Sequence, residues 1–247
     1  MGETRRTALI TGSGRNIGRA SALALAKNGI NVIVNGSAKR DNCEQVADEA
    51  RALGVDAMVA MGDVGNPDEL GAIAAACFEK FGCVDILVNN AAVRPNSPFL
   101  DTDEDEWERI LNIDFHAARR LAKLCLPGMV DAGWGRIINF AGMNAIHGYN
   151  GRAPVSVSKH ASWGLTKSLA KEFGKQGVTT NIISPGPIQP DEAEPEMREH
   201  IESMVGRVPV GRLGRNEEIG AMVALLASDD GAFINGQLLQ VNGGAET

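Results

Sequence analysis

Apolar and polar positions along this chain alternate between two patterns. Short, nearly unbroken apolar runs occur at 7–11 (TALIT), 31–34 (NVIV), 57–61, 84–88 (VDILV), 137–140, 178–183 and 237–241. Runs of this length without polar alternation predict strands buried on both faces, as in a parallel sheet covered by helices. Between them lie longer stretches of helical periodicity. An Ala/Leu-rich helix follows Gly18 and stops at Asn28-Gly29, a C-cap pair. A second helix runs to Leu53, and Asn66-Pro67 opens a third with Asn as N-cap and Pro at the first helical position. Residues 101–131 read as one long helical stretch, capped at Thr102 or Asp103 and kinked near Pro127-Gly128. A helix carrying Lys159 runs to about Gln176, and a last one covers 216–227. With no internal repeat and no low-complexity linker, this order predicts a single α/β domain over 1–247. Its fold is a Rossmann-type, doubly wound parallel sheet of about seven strands with helices on both faces. Only the stretch at about 188–210 stands apart, as a flap with a short helix.

Composition narrows the class. Hydrophobic residues make up 44% of the chain, enough for a full core, and 29 glycines suit many tight strand–helix turns. No apolar run approaches the roughly 20 residues of a membrane span. The first strand begins so early that no signal peptide is expected. Cys43, Cys77, Cys83 and Cys125 form no CxxC pair, which fits reduced thiols in a cytoplasmic protein. A net charge of −7 without a basic cluster argues against a nucleic-acid partner.

The first strand runs into Gly12-Ser13-Gly14-Arg15-Asn16-Ile17-Gly18 and then a helix. Strand, glycine loop and helix N-terminus together make a phosphate cradle, because backbone N–H groups and the helix dipole face the anion. An acid at the end of the second strand would hydrogen-bond the ribose hydroxyls of NAD. None is there: Gly36 and Ser37 leave space, and Arg15, Lys39 and Arg40 could meet a 2′-phosphate, which favours NADP(H) over NAD(H). The flap carries Asp191, Glu192, Glu194, Glu196 and Glu199. Such a run selects a cationic substrate or, more commonly, forms a solvated face.

The segment RIINFAGMNAIHGYNGRAPVSVSKHASWGLTKSL, from 136 to 169, resembles the catalytic segment of the short-chain dehydrogenase/reductase family. TGSGRNIG, Asp63-Val64, NNAA at 89–92 and Ser184-Pro185-Gly186 extend the likeness along the whole chain. RVPVGRLGRNEEIG, LLASDD and INGQLLQVNGG carry it to the C-terminus, in the manner of the 3-oxoacyl-carrier-protein reductases. The resemblance implies a nicotinamide dinucleotide held by Gly12, Ser13, Gly14, Arg15, Asn16, Ile17, Gly18, Ser37, Asp63, Val64, Asn89, Ala91, Lys159, Pro185, Gly186 and Ile188. Asp63 matches the residue at the adenine edge, and Asn89 the one beside the adenosine ribose. The middle glycine of the phosphate loop falls on Asn16, which tolerates left-handed backbone better than other non-glycine residues.

The resemblance breaks down at the reaction centre. The family's helix Asn, which holds a proton-relay water, falls on Asp114; its substrate-orienting Ser falls on Gly142, and its acid/base Tyr on Val155. Its nicotinamide-amide Thr falls on Pro190, and only Lys159 keeps its identity. Tyr149, the only tyrosine, and His147 lie in the loop before the helix and are the candidate replacements, with Ser156 a poorer one. Both residues have ordinary roles in a loop as well. Three readings therefore stand. One is an oxidoreductase acting on a small carbonyl or alcohol with a rebuilt acid/base site; another is a silent subunit that pairs with an active relative or senses cofactor; the third is an enzyme of another class. A homotetramer is expected, or a hetero-oligomer in the second case.

Overall fold

The computed structural model describes residues 5–143, 146–191 and 203–246. Its sheet has seven parallel strands: β1 (Thr7–Ile10), β2 (Asn31–Gly36), β3 (Ala57–Met61), β4 (Ile86–Asn89), β5 (Gly135–Phe140), β6 (Val178–Pro185) and β7 (Leu238–Val241). They lie in the order β3-β2-β1-β4-β5-β6-β7. The chain starts mid-sheet, winds to one edge and then returns to build the other half, so its direction of winding reverses between β1 and β4. Ligands of such sheets bind at the carboxyl ends of the strands beside that reversal.

Within each strand, neighbouring side chains go to opposite faces. Leu9, Ile33, Leu87 and Ile137 pack on one side with Ile73, Leu121 and Met129. Ala8, Ile10, Val32, Val34, Ile86, Val88 and Ile138 pack on the other with Leu25, Val46 and Val223. Both faces are dry, which is why the runs show no polar alternation. Helices α1 (Asn16–Lys27) and α2 (Arg40–Ala52) cover the second face, joined by α7 (Asn216–Ala227). Helices α3 (Pro67–Phe81) and α5 (Ala117–Asp131) cover the first. Helix α6 (Ala153–Phe173) packs beside them and against β6. Helices α1 and α7 approach backbone to backbone, since a Cβ on Gly220 would stand 2.7 Å from the Ala20 carbonyl oxygen.

The long helical stretch is interrupted, but not where its proline lies. Helix α4 (Glu104–Leu111) gives way to a π-helical turn at Asn112–His116, and α5 then continues past Pro127 to Asp131. A π turn inserts one extra residue and redirects the side chains around it; such turns often mark functional positions. Here it carries Asp114, and Gly65 lies against it: a Cβ there would be 2.5 Å from Ile113 Cγ1. Residues 192–202 of the expected flap lie outside the described residues. Among the described residues no helix is long and apolar enough to cross a membrane.

Candidate functional site

The loops at the carboxyl ends of β1 to β6 border one cleft of about 1110 Å³, at the upper end of what small-molecule sites occupy. Its first wall is the turn after β1. Gly12 is left-handed (φ +61°), and Asn16 (φ +49°) is the one described non-glycine residue in that region. Asn16 thus takes the glycine's conformation as its short polar side chain allows. Arg15, in extended backbone before α1, makes no side-chain cap, so the N-cap side chain takes none of the helix's first N–H groups. Gly12, Gly14, Arg15, Asn16, Ile17 and Gly18 all border the cleft. Ser13 is buried beneath them, its hydroxyl donating to the Ile10 carbonyl (2.7 Å) and accepting from the Asn35 N–H (3.1 Å). Its part is to hold the loop.

One helix N–H is already taken, by a residue the sequence marked only as acidic. Asp191 Oδ2 accepts from the Asn16 N–H at 2.7 Å, while the Asp191 N–H donates to Asn16 Oδ1 at 3.0 Å. Its other oxygen accepts from Asn216 Nδ2 at 2.9 Å. A carboxylate at the stem of the flap therefore occupies the positive end of α1, where an anion belongs.

Beyond this turn the cleft passes Gly36, Ser37 and Lys39 at the end of β2, with no acid there. Arg40 turns away to Glu44 (3.1 Å), leaving Arg15 and Lys39 as the cations at this end. Asp63, Val64, Ala91, Pro185, Gly186 and Ile188 complete the walls. Asp63 Oδ1 accepts from the Gly65 N–H at 2.8 Å, which fixes the carboxylate. Asn89 is still within β4 and aims inward, donating to Asn139 Oδ1 at 2.8 Å. The neighbouring Asn90 borders the cleft instead, and its Nδ2 ties β4 to the Thr11 and Gly12 carbonyls, both at 2.9 Å.

At the other end the expected catalytic pair meets. Lys159 Nζ lies 3.1 Å from Asp114 Oδ2, and both side chains are buried. Asp114 Oδ1 accepts from the Val93 N–H at 2.8 Å. Burial pushes the Lys159 pKa below its ordinary value; Asp114 opposes that shift and the Arg94 charge adds to it. Neither member of the pair borders the cleft, whereas Val155, one turn before Lys159, does. Gly142 and Pro190 border it too. A Cβ on Gly142 would meet nothing within 4 Å, but its φ of +91° is one that side chains rarely adopt. Of the candidate replacements, Tyr149 borders the cleft. His147 is exposed outside it, with Nε2 2.7 Å from Glu246 Oε2, and Ser156 does not reach it.

Fold and cleft define a doubly wound dinucleotide-type α/β protein whose site lies at the sheet's reversal. A family model described as enoyl-(acyl carrier protein) reductase matches residues 12–246. The 3-oxoacyl-[acyl-carrier-protein] reductase of Staphylococcus aureus is 35% identical over 97% of both chains. That of Vibrio cholerae is 37% identical over 97% of this chain and 96% of its own. Among solved structures, acetoin dehydrogenase from Salmonella typhimurium superposes with a TM-score of 0.89 at 30% identity, covering 97% of this chain and 95% of that one. The chain belongs to the short-chain dehydrogenase/reductase family of oxidoreductases, and within it is similar to the 3-oxoacyl-carrier-protein reductases.

Proposed function

We propose that the cleft binds NADP(H) and that the protein moves hydride between it and a small carbonyl or alcohol substrate. The observation that carries this reading is the turn after β1: a left-handed Asn16 keeps the phosphate loop's shape without the usual glycine, and the N-cap residue Arg15 puts no side chain on the helix N-terminus behind it. Arg15 and Lys39, with no acid beside them at the end of β2, suit a 2′-phosphate. When bound, the cofactor would supply or accept hydride. The chain's own residues have three tasks: holding the phosphates on the α1 N-terminus, keeping the reaction end in place through the Lys159–Asp114 pair, and passing a proton to the substrate oxygen. For the last task the reading assigns Tyr149, the one tyrosine and a cleft residue, since Val155 carries no proton.

A single-turnover assay tests this: enzyme loaded with NADPH, an activated ketone, and absorbance of the reduced cofactor. Tyr149→Phe should slow the step about 100-fold, the lower end of what a positioned acid supplies. His147→Ala should leave it unchanged, because that side chain lies outside the cleft. Equal rates for the parent and Tyr149→Phe would remove Tyr149 from the reaction.

A second reading, a silent subunit paired with an active relative, is favoured by one observation: Lys159 is 2% exposed and closed off behind the cleft floor with Asp114. Under either reading the protein is proposed to be a tetramer, since Leu124 on α5, Val157 on α6 and Phe233 before β7 leave apolar side chains uncovered.

A further inference from the structure

The protein carries a charge of −7, yet among the described residues its cleft is bordered by Arg15, Lys39, Arg94, Arg109, Arg152 and Arg207 against two acids, Asp63 and Glu246. Arg15 and Lys39 serve the end beside β2. Asp63 holds the Gly65 N–H, and Glu246 is joined to His147. The reaction end therefore has a surplus of arginine.

Arg94 directly follows Val93, whose N–H Asp114 holds. Arg152 immediately precedes α6, three residues before Val155. The two guanidiniums are close enough to oppose one another's charge, and Arg94 also feels Asp114. Their loops are joined: the Ser97 N–H donates to the Gly151 carbonyl at 2.8 Å. Gly151 itself (φ +71°) leaves room for Asn96, whose Oδ1 would stand 2.5 Å from a Cβ at that position. Arg109, in the last turn of α4, borders the same cleft.

No guanidinium of these three arginines makes a hydrogen bond or ion pair among the described residues. Elsewhere the chain uses its guanidiniums: Arg6, Arg19, Arg40, Arg51, Arg136, Arg212 and Arg215 all reach carboxylates. Unpaired like charges held side by side repel, and an anion placed between them relieves that repulsion. The planar guanidinium fork matches the oxygens of a carboxylate or phosphate.

We infer that Arg94 and Arg152, with Arg109 on the wall of the same cleft, form an oxyanion subsite. It grips a carboxylate or phosphate on the non-reacting end of a small carbonyl or hydroxy substrate. This inference rests on reading the cleft as a dinucleotide site with its reaction end at Gly142 and Val155. It runs against selection of a cationic substrate by an acidic flap, because the described wall at this end is basic.

Titration calorimetry on the full chain saturated with NADPH tests it, with levulinate against its neutral methyl ester, and dihydroxyacetone phosphate against dihydroxyacetone. The anionic member of at least one pair should bind about tenfold more tightly or better, and the pair that discriminates names the oxyanion. Arg94→Gln and Arg152→Gln should each weaken that anion about tenfold, as loss of one charge-assisted hydrogen bond does. Both should bind NADPH as the parent does. Equal binding of charged and neutral members, no saturable anion binding, or parent-like affinity in both variants would each overturn the subsite. Failure of the dinucleotide reading looks different: the folded parent would not bind NADPH at all.

Discussion

Lysine and aspartate sealed from water together are tolerable; either one alone is not. Asp114 has a backbone N–H and the Lys159 ammonium for partners, and the ammonium has the carboxylate. Asp114→Asn keeps the bond to Val93 but strands a buried positive charge, a loss of about 3–5 kcal/mol near neutral pH. The pH dependence has a definite sign. Native Lys159 gives up its proton below the ordinary 10.5 because burial disfavours the charge. Just below 10.5 the unfolded chain therefore binds more protons, and stability rises with pH. Removing Asp114 lowers the native value further and widens that window. Urea denaturation of Asp114→Asn should thus show stability recovering more steeply than in the parent as the solution becomes alkaline. Adding Lys159→Met should restore much of the loss at neutral pH. A double variant less stable than Asp114→Asn would show that the pair is not coupled as described. That Asp114 and Lys159 belong to one site follows from the sequence by family resemblance. That they join beneath the cleft, out of its reach, depends on the π turn, and a helical periodicity does not reveal where one residue is inserted.

Among the elements, the turn between β5 and α6 bears most directly on the proposed reaction end. Gly142 stands in open space with a left-handed backbone, and Val155, though only 1% exposed, borders the same cleft. Space for a restored hydroxyl pair exists on the Gly142 side, while the backbone there exacts about 1–3 kcal/mol from any side chain. Gly142→Ser with Val155→Tyr should therefore fold with somewhat lower stability and reduce an activated ketone with NADPH faster than the parent. A soluble double variant no faster than its parent would mean the reaction end cannot be rebuilt at these two positions. The elements that could be read from the sequence were those fixed by dense apolar runs and local caps; Asn66 indeed caps α3 through the Asp68 and Glu69 N–H groups. The π turn at Asn112–His116 was not legible in the sequence, because such a turn has no residue signature. Asp191 was equally invisible, since its role comes from a contact with Asn16 across 175 positions of chain.

Across the whole molecule, a doubly wound sheet brings the loops after β1 to β6 to one edge and gathers cations there, although the protein as a whole is acidic. The Asp191 carboxylate sits on the α1 N-terminus, and a dinucleotide's phosphates would compete with it for the same N–H. The proposed function requires this edge to hold a dinucleotide with a 2′-phosphate, and equilibrium titration of the protein with NADPH and NADH, followed by nucleotide fluorescence, tests it most directly. Saturable binding with NADPH about tenfold tighter than NADH is expected, the difference reflecting charge-assisted bonds from Arg15 and Lys39. Equal affinities, a preference for NADH, or no binding by the folded protein would contradict it.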